Sequence, residues 1–348
     1  MAYQNVGTPR FYVDILQWLK SQGLISVHAR SFSEDVSSIM DLIGINPSSV
    51  GELTGGDGEN DVIIYDTTHP LDNLMRNSKN FVMALGHNFK TTQSSFYTSE
   101  GEATSGGYTS VATTGYVNST SVGSGGTIGS DGFSIHTGND AHDMQTNLFQ
   151  FRFDYQGSGS VYNGNPLKMG SLLYGTYYHM PHSPDLSLKL SYEYDGVKTQ
   201  QTKGGATLSN ALYTKPADWG DRGCWQLGQN VTGLYGNQTG VSNYRTGRRV
   251  WDLSFSYLSD SDIMPYIAST TNLGTDDINT NDLFKNALNR GTDFFSSVFN
   301  KTIGEHLPFI FQPDNTNKNP DQFAICRFDM DSLQYDQIAN NVYNVKLK

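Results

Sequence analysis

Two short stretches gather side chains able to bind a metal or move protons. His136-Thr-Gly-Asn-Asp140-Ala-His142-Asp143 puts two imidazoles and two carboxylates close together in the chain. Imidazole and carboxylate suit zinc, nickel or iron, so this stretch is a candidate metal loop. The plainer alternative is a polar loop closing a Gly-rich stretch. His179-Met-Pro-His182-Ser-Pro-Asp185 repeats the residue types. Its two prolines hold the backbone extended and space the rings apart, which predicts a structural turn. Asp260, Asp262, Asp276 and Asp277 follow Tyr257. Paired carboxylates hydrolyse glycosides only at a defined separation across a sugar cleft; beyond a strand end they read as solvated loop acids. Trp219, Trp225 and the many tyrosines could stack on sugars. In a chain that is 12% aromatic they read first as core.

The familiar catalytic signatures are missing. There is no Gly-x-Ser-x-Gly elbow, phosphate loop, His-Glu-x-x-His or dinucleotide fingerprint. Gly123-Ser-Gly-Gly-Thr-Ile-Gly129 is Gly-rich but has the wrong spacing for phosphate binding and no strand-to-helix context. The expectation is a non-enzyme with no catalytic, cofactor-binding or metal residues. Cys224 and Cys326 lie far apart and read as two reduced core thiols. Sequons at Asn118, Asn230, Asn237 and Asn300 read as chance matches in an Asn/Thr-rich chain.

Composition narrows the class further. The chain has 348 residues, only 16% of them charged, with a net charge of -11. Two cysteines exclude a disulfide scaffold. Low charge and few Ala, Leu, Glu and Lys exclude a coiled coil or helical array. Acidic residues outnumber basic ones 34 to 23, which argues against specific nucleic-acid binding through bulk charge. The aromatic content argues against disorder. Met1-Ala-Tyr-Gln-Asn5 has neither a basic start nor an apolar run, so no secretory leader is expected. No run of 18 apolar residues predicts a membrane span.

Most of the chain has strand character. Residues 8–23 predict an early helix, with Thr8 as cap, Pro9 in the first turn, Gly23 at the end, and Phe11, Ile15, Leu16 and Leu19 on one face. Val62–Tyr65 and Asn80–Leu85 are short buried strands. Between 91 and 130, Ser, Thr and Gly supply 26 of 40 residues, and no Lys or Arg occurs between Lys90 and Arg152. Tyr97, Tyr108 and Tyr116 favour a β insertion there over a flexible linker. Phe149, Phe151, Phe153 and Tyr155 alternate with Gln150, Arg152 and Asp154, the mark of a half-buried antiparallel strand. Residues 186–194 repeat the pattern, with Asp195-Gly196 as a hairpin turn and Val197–Gln200 as the return. Trp251, Leu253, Phe255 and Tyr257 line one face of a third strand. Phe309–Phe311 and Phe323–Phe328 form a late pair, and 342–348 a terminal strand that needs a partner. A helix runs from Leu283 to Phe299.

The expected fold is mainly β: an antiparallel β-sandwich or barrel core, with a Gly/Ser/Thr-rich β insertion and a short helical insertion. The expected division is an N-terminal mixed α/β segment at 1–90, the insertion at 91–145, and the β core at 146–348, interrupted by helix at about 276–303.

Several segments resemble tail structural proteins of marine tailed bacteriophages. They are Tyr177–Leu188, Thr202–Gly205 with Ser209–Thr214, Gly247–Asp262, Leu307–Asp314 with Phe323–Asp329, Tyr343–Leu347, and Tyr3–Tyr12. They cover roughly half the chain. The Arg248-Arg249-x-Trp251 strand followed by a Ser/Asp-rich turn looks like distal tail proteins, which form a ring joining the tail tube to the tip or baseplate. The resemblance implies a homo-oligomeric ring, contacts with other phage tail proteins, no catalysis and no cofactor, and a place in the virion after synthesis in the host cytoplasm. Residues 91–145 lie outside it. A receptor- or carbohydrate-binding tail protein is the alternative. An acidic ring lumen would repel passing DNA.

Overall fold

The computed structural model describes residues 6–30, 39–45, 51–53, 61–67, 79–101, 117–118, 131–138, 148–193, 197–211, 248–265, 291–319 and 322–348. In chain order these hold β1 (Arg10–Asp14), α1 (Ile15–Ser21), β2 (Ile25–Arg30), β3 (Gly51–Leu53), β4 (Asp61–Thr67), β5 (Asn80–Leu85), β6 (Ser94–Gly101) and β7 (Val117–Asn118). Next come β8 (Phe133–Gly138), β9 (Leu148–Tyr155), β10 (Leu167–Met169), β11 (Ser171–His179), β12 (Lys189–Glu193), β13 (Val197–Gln201) and β14 (Thr207–Ala211). The remainder is β15 (Arg248–Ser259), α2 (Asp260–Ile263), β16 (Phe309–Gln312), β17 (Ala324–Cys326), β18 (Tyr335–Ala339) and β19 (Val342–Leu347).

The protein is mainly β, and its strands pair antiparallel. A six-stranded sheet runs β17-β16-β1-β11-β5-β8, a five-stranded one β2-β4-β9-β6-β7, and a four-stranded one β12-β15-β19-β18. The six- and five-stranded sheets pack face to face. Val82, Ala84, Leu172 and Tyr174 from the first meet Ile63, Tyr65, Phe96, Phe149, Phe151 and Phe153 from the second in one buried cluster. Phe149 stacks on Tyr174 with ring centroids 3.8 Å apart. Each of the larger aliphatic and phenyl side chains among them contributes about 1.5–3 kcal/mol through burial. The four-stranded sheet closes a second cluster. There Trp251, Leu253, Phe255, Val345 and Leu347 pack with Phe11, Val13, Phe309 and Phe311.

The early helix is half as long as its spacing predicts. Residues 10–14 are a strand, because the β1 backbone pairs with β11 on one side and β16 on the other. Phe11 faces one core cluster and Tyr12 another. The helix begins at Ile15, and Asp14, not Thr8, caps it by accepting from the Leu16 amide at 3.1 Å. Gly23 ends it as expected. At φ +68° it lets its own amide bond the Lys20 carbonyl and the Leu24 amide bond the Leu19 carbonyl, a Schellman closure.

Strands β4, β5, β9, β15, β16 and β17 lie where the pattern puts them, and β16 pairs with β17. The hairpin expected from 186–194 to 197–200 is not made. β12 pairs with β15, while β13 turns to β14; Asp195 and Gly196 lie outside the described residues. The strand also starts late, at Lys189, leaving Leu186 fully exposed. Tyr257 does not face in. A bulge between Phe255 and Leu258 breaks the alternation, Tyr257 sits at φ +62° and is 78% exposed, and Leu258 takes the buried place. The terminal strand has its partners within the chain, β15 on one side and β18 on the other.

The three stretches distinguished by composition share sheets. From within 91–145, β6 pairs with β9 and β8 pairs with β5, and Phe96 and Phe133 are buried. Both ends of that stretch are therefore sheet strands; residues 102–116, 119–130 and 139–147 lie outside the described ones. Of the helix expected at 283–299, residues 283–290 also lie outside. Phe295–Phe299 forms a π-type turn, with the Asn300 amide bonding the Phe295 carbonyl at 2.8 Å.

Candidate functional site

The side chains singled out for chemistry do not converge. His136 lies on β8, while Asp140, His142 and Asp143 fall outside the described residues. Among the described residues no group of three His, Cys, Asp or Glu is placed to hold a metal. His179 is held between two neighbours. Its Nδ1 accepts from Arg10 Nε at 3.4 Å, and its Nε2 lies 2.6 Å from the Asn315 amide nitrogen. Partial burial and the adjacent Arg10 and Lys79 charges lower its pKa. His182 bonds the Ser183 carbonyl instead, and Asp185 accepts from the Ser256 hydroxyl at 2.6 Å. This motif is a turn that fastens the chain to β15.

Asp262 is likewise occupied. It accepts from the Ser259 amide and hydroxyl, forming a capping box at the start of α2. Asp276, Asp277, Trp219, Trp225, Cys224 and the 123–129 glycines lie outside the described residues. Cys326 is a free, partly buried thiol whose pKa burial pushes up to about 12, so it stays protonated near neutrality.

A cleft of about 600 Å³ opens where the four-stranded sheet meets the β16–β17 edge of the six-stranded one. Its apolar lining includes Trp251, Leu253, Phe309, Phe311 and Leu347. Its charged lining includes Glu193, Arg249, Glu305, Arg327, Asp329 and Lys348. Alternation along β15 places Arg249 two residues before Trp251 on the same face. The guanidinium lies 4.8 Å over the indole, which is itself edge-on to Phe311 at 5.2 Å. Lys348 is engaged by Asp329 at 2.6 Å. Arg249 Nε, Arg249 Nη2 and Trp251 Nε1 are shielded from water and have no hydrogen-bond acceptor among the described residues.

Sequence reasoning identified Trp251 as core, and it is 8% exposed. The role of Arg249 went unseen: the Arg-x-Trp alternation signals a shared face, but not the strands from 309–328 that complete the cleft. Lys301 was also missed. It is buried, with its pKa lowered to about 8 by desolvation against the opposing pull of Asp293.

Comparison of the chain with protein-family models, with curated proteins and with solved structures finds no match.

Proposed function

We propose that this chain is a structural subunit of a bacteriophage tail, a distal-tail or tail-tip hub-like protein that forms a ring with its own copies and docks neighbouring tail proteins. The observation behind the assembly part is the β13–β14 ribbon. Five residue pairs, from Val197↔Ala211 to Gln201↔Thr207, form a two-stranded sheet joined to no other strand among the described residues. Residues 198–209 are exposed throughout, including Leu208 at 59%. A lone two-stranded hairpin is marginally stable in water, and its open edges are ready to pair with another chain. Such an arm gains its stability by lying on a neighbour.

The phage-tail part rests on the sequence resemblance, whose Arg248–Ser259 segment is β15, one of the two inner strands of the four-stranded sheet. The structural employment of His179, Asp185 and Asp262 favours a scaffold over a catalyst. Electron microscopy of the purified chain tests the proposal. Closed rings with an axial opening wide enough for duplex DNA are expected; a uniform population of monomers at high concentration would rule the ring out.

A further inference from the structure

We propose that the β13–β14 ribbon of one copy pairs with the edge strand β18 of the next copy, with Lys198 and Lys203 of the ribbon facing Asp336 and Asp331. This rests on the assembly reading above and names the surface on which the ribbon lies.

Topology gives the two ends of the contact. β12 and β18 are the edges of the four-stranded sheet. The ribbon leaves from the β12 side, since β12 ends at Glu193 and β13 begins at Val197. At the opposite edge β18 has no outer partner among the described residues, and positions 336–339 are exposed. An arm at one edge and an open strand at the other make a head-to-tail contact. Such a contact repeats from copy to copy and closes a ring where the rotation allows.

Charge selects the acceptor. Residues 198–209 carry lysines at 198 and 203 and no acid. A second ribbon would set lysine against lysine. β12 offers Lys189 and Glu193, which cancel. β18 carries Asp336, with Asp331 shortly before it, and both are exposed. None of Lys198, Lys203, Asp331 and Asp336 is ion-paired among the described residues, and Lys346 on the neighbouring β19 is paired with neither carboxylate. Carboxylates on an edge strand turn away another β18 and admit a cationic strand.

Register agrees with charge. Lys198 and Lys203 have the same separation in sequence as Asp331 and Asp336. The ribbon and the four-stranded sheet both pair antiparallel. One antiparallel register therefore sets Lys198 opposite Asp336 and brings Lys203, beyond the end of β13, toward Asp331. It uses the stretch before the irregularity between Gln337 and Ala339, where β18 loses even register with β19. β13 pairs only with β14 among the described residues, so its outer edge is open to make this ladder.

Sedimentation velocity of the full chain over a dilution series tests the contact. Lys198→Glu with Lys203→Glu, and Asp331→Lys with Asp336→Lys, should each weaken association by at least about tenfold, because like charges then meet. The chain carrying all four changes should assemble as the unaltered one does. All four positions are exposed, and thermal melting checks that each variant is folded. If the unaltered chain assembles but either double variant assembles equally well, or the fourfold variant stays apart, this contact is overturned and the ring reading stands. An unaltered chain that stays monomeric overturns both. Should a variant not fold, carbodiimide coupling of the unaltered chain decides, on assemblies formed from mixed light and isotope-labelled copies. An amide between Lys198 or Lys203 of one copy and Asp331 or Asp336 of another is expected, and its absence overturns the contact.

Discussion

The Tyr162 hydroxyl donates a 2.5 Å hydrogen bond to the Asp61 carboxylate, joining two buried residues 101 positions apart. Tyr162 reaches it from a tight turn at φ +51°, and Asp61 opens strand β4. The bond therefore anchors the turn that follows β9 to the start of β4, an inner strand of the five-stranded sheet. Tyr162→Phe keeps the ring and removes the donor. It should lower stability by about 1–3 kcal/mol, the range for removing one partner from a buried polar group. Urea unfolding measures this, and adding Asp61→Asn should return part of the loss in a double-mutant cycle. An unchanged midpoint in Tyr162→Phe would show the bond to be neutral.

His87 makes the fold acid-sensitive. It is fully buried, stacked 4.1 Å from Phe89, and 2.9 Å from the Ser134 hydroxyl. Desolvation lowers its pKa from 6.5 to about 3. Between those values the unfolded chain binds a proton that the folded chain does not. Stability from this group is therefore complete above pH 6.5 and falls as pH drops toward 3, by about 1.4 kcal/mol for each pH unit travelled. His87→Gln should show a shallower loss of melting temperature over that window. Parallel profiles for the two proteins would contradict the assignment.

Gly175 is required by close backbone approach. A Cβ built there would lie 1.9 Å from the Val13 carbonyl oxygen and 2.9 Å from the Ile15 amide. Neither atom can retreat, because β1 ends and α1 begins at that point, opposite Gly175 in β11. Gly175→Ala should part the end of β1 from β11 and cost several kcal/mol, among the largest effects of any single substitution. Soluble expression and thermal melting read the result; a wild-type melting temperature would show that the strands separate freely.

Trp251 tests the second core. Its ring is nearly buried against Phe311 and already borders the cleft. Trp251→Ala should cost about 3 kcal/mol, the lower end for aromatic truncation, because the new space joins an existing opening. Chemical denaturation checks it.

These sites also mark what the sequence makes legible. Strands with one wet face announce themselves: Phe149, Phe151 and Phe153 alternate with polar neighbours and are buried as expected. Strand β1 is hidden because both its faces are covered, so its apolar run merges with the spacing of the helix that follows. Tyr257 misleads because a bulge, invisible to a period of two, reverses the faces after Phe255. Partner choice is a long-range matter, which is why the return strand after 197 pairs forward with β14 rather than back with β12. The cleft needed that same topology. Arg249 and Trp251 are neighbours in sequence, but Phe309 and Phe311 reach them only through sheet packing.

The central claim is that this chain builds an assembly through its exposed ribbon. Sedimentation velocity of the full chain beside a variant in which residues 198–209 are replaced by a short glycine linker measures it directly. The full chain should sediment as a closed oligomer, and the variant as a folded monomer with an unchanged melting temperature. A full chain that remains monomeric, or a variant that assembles as well as its parent, would contradict it.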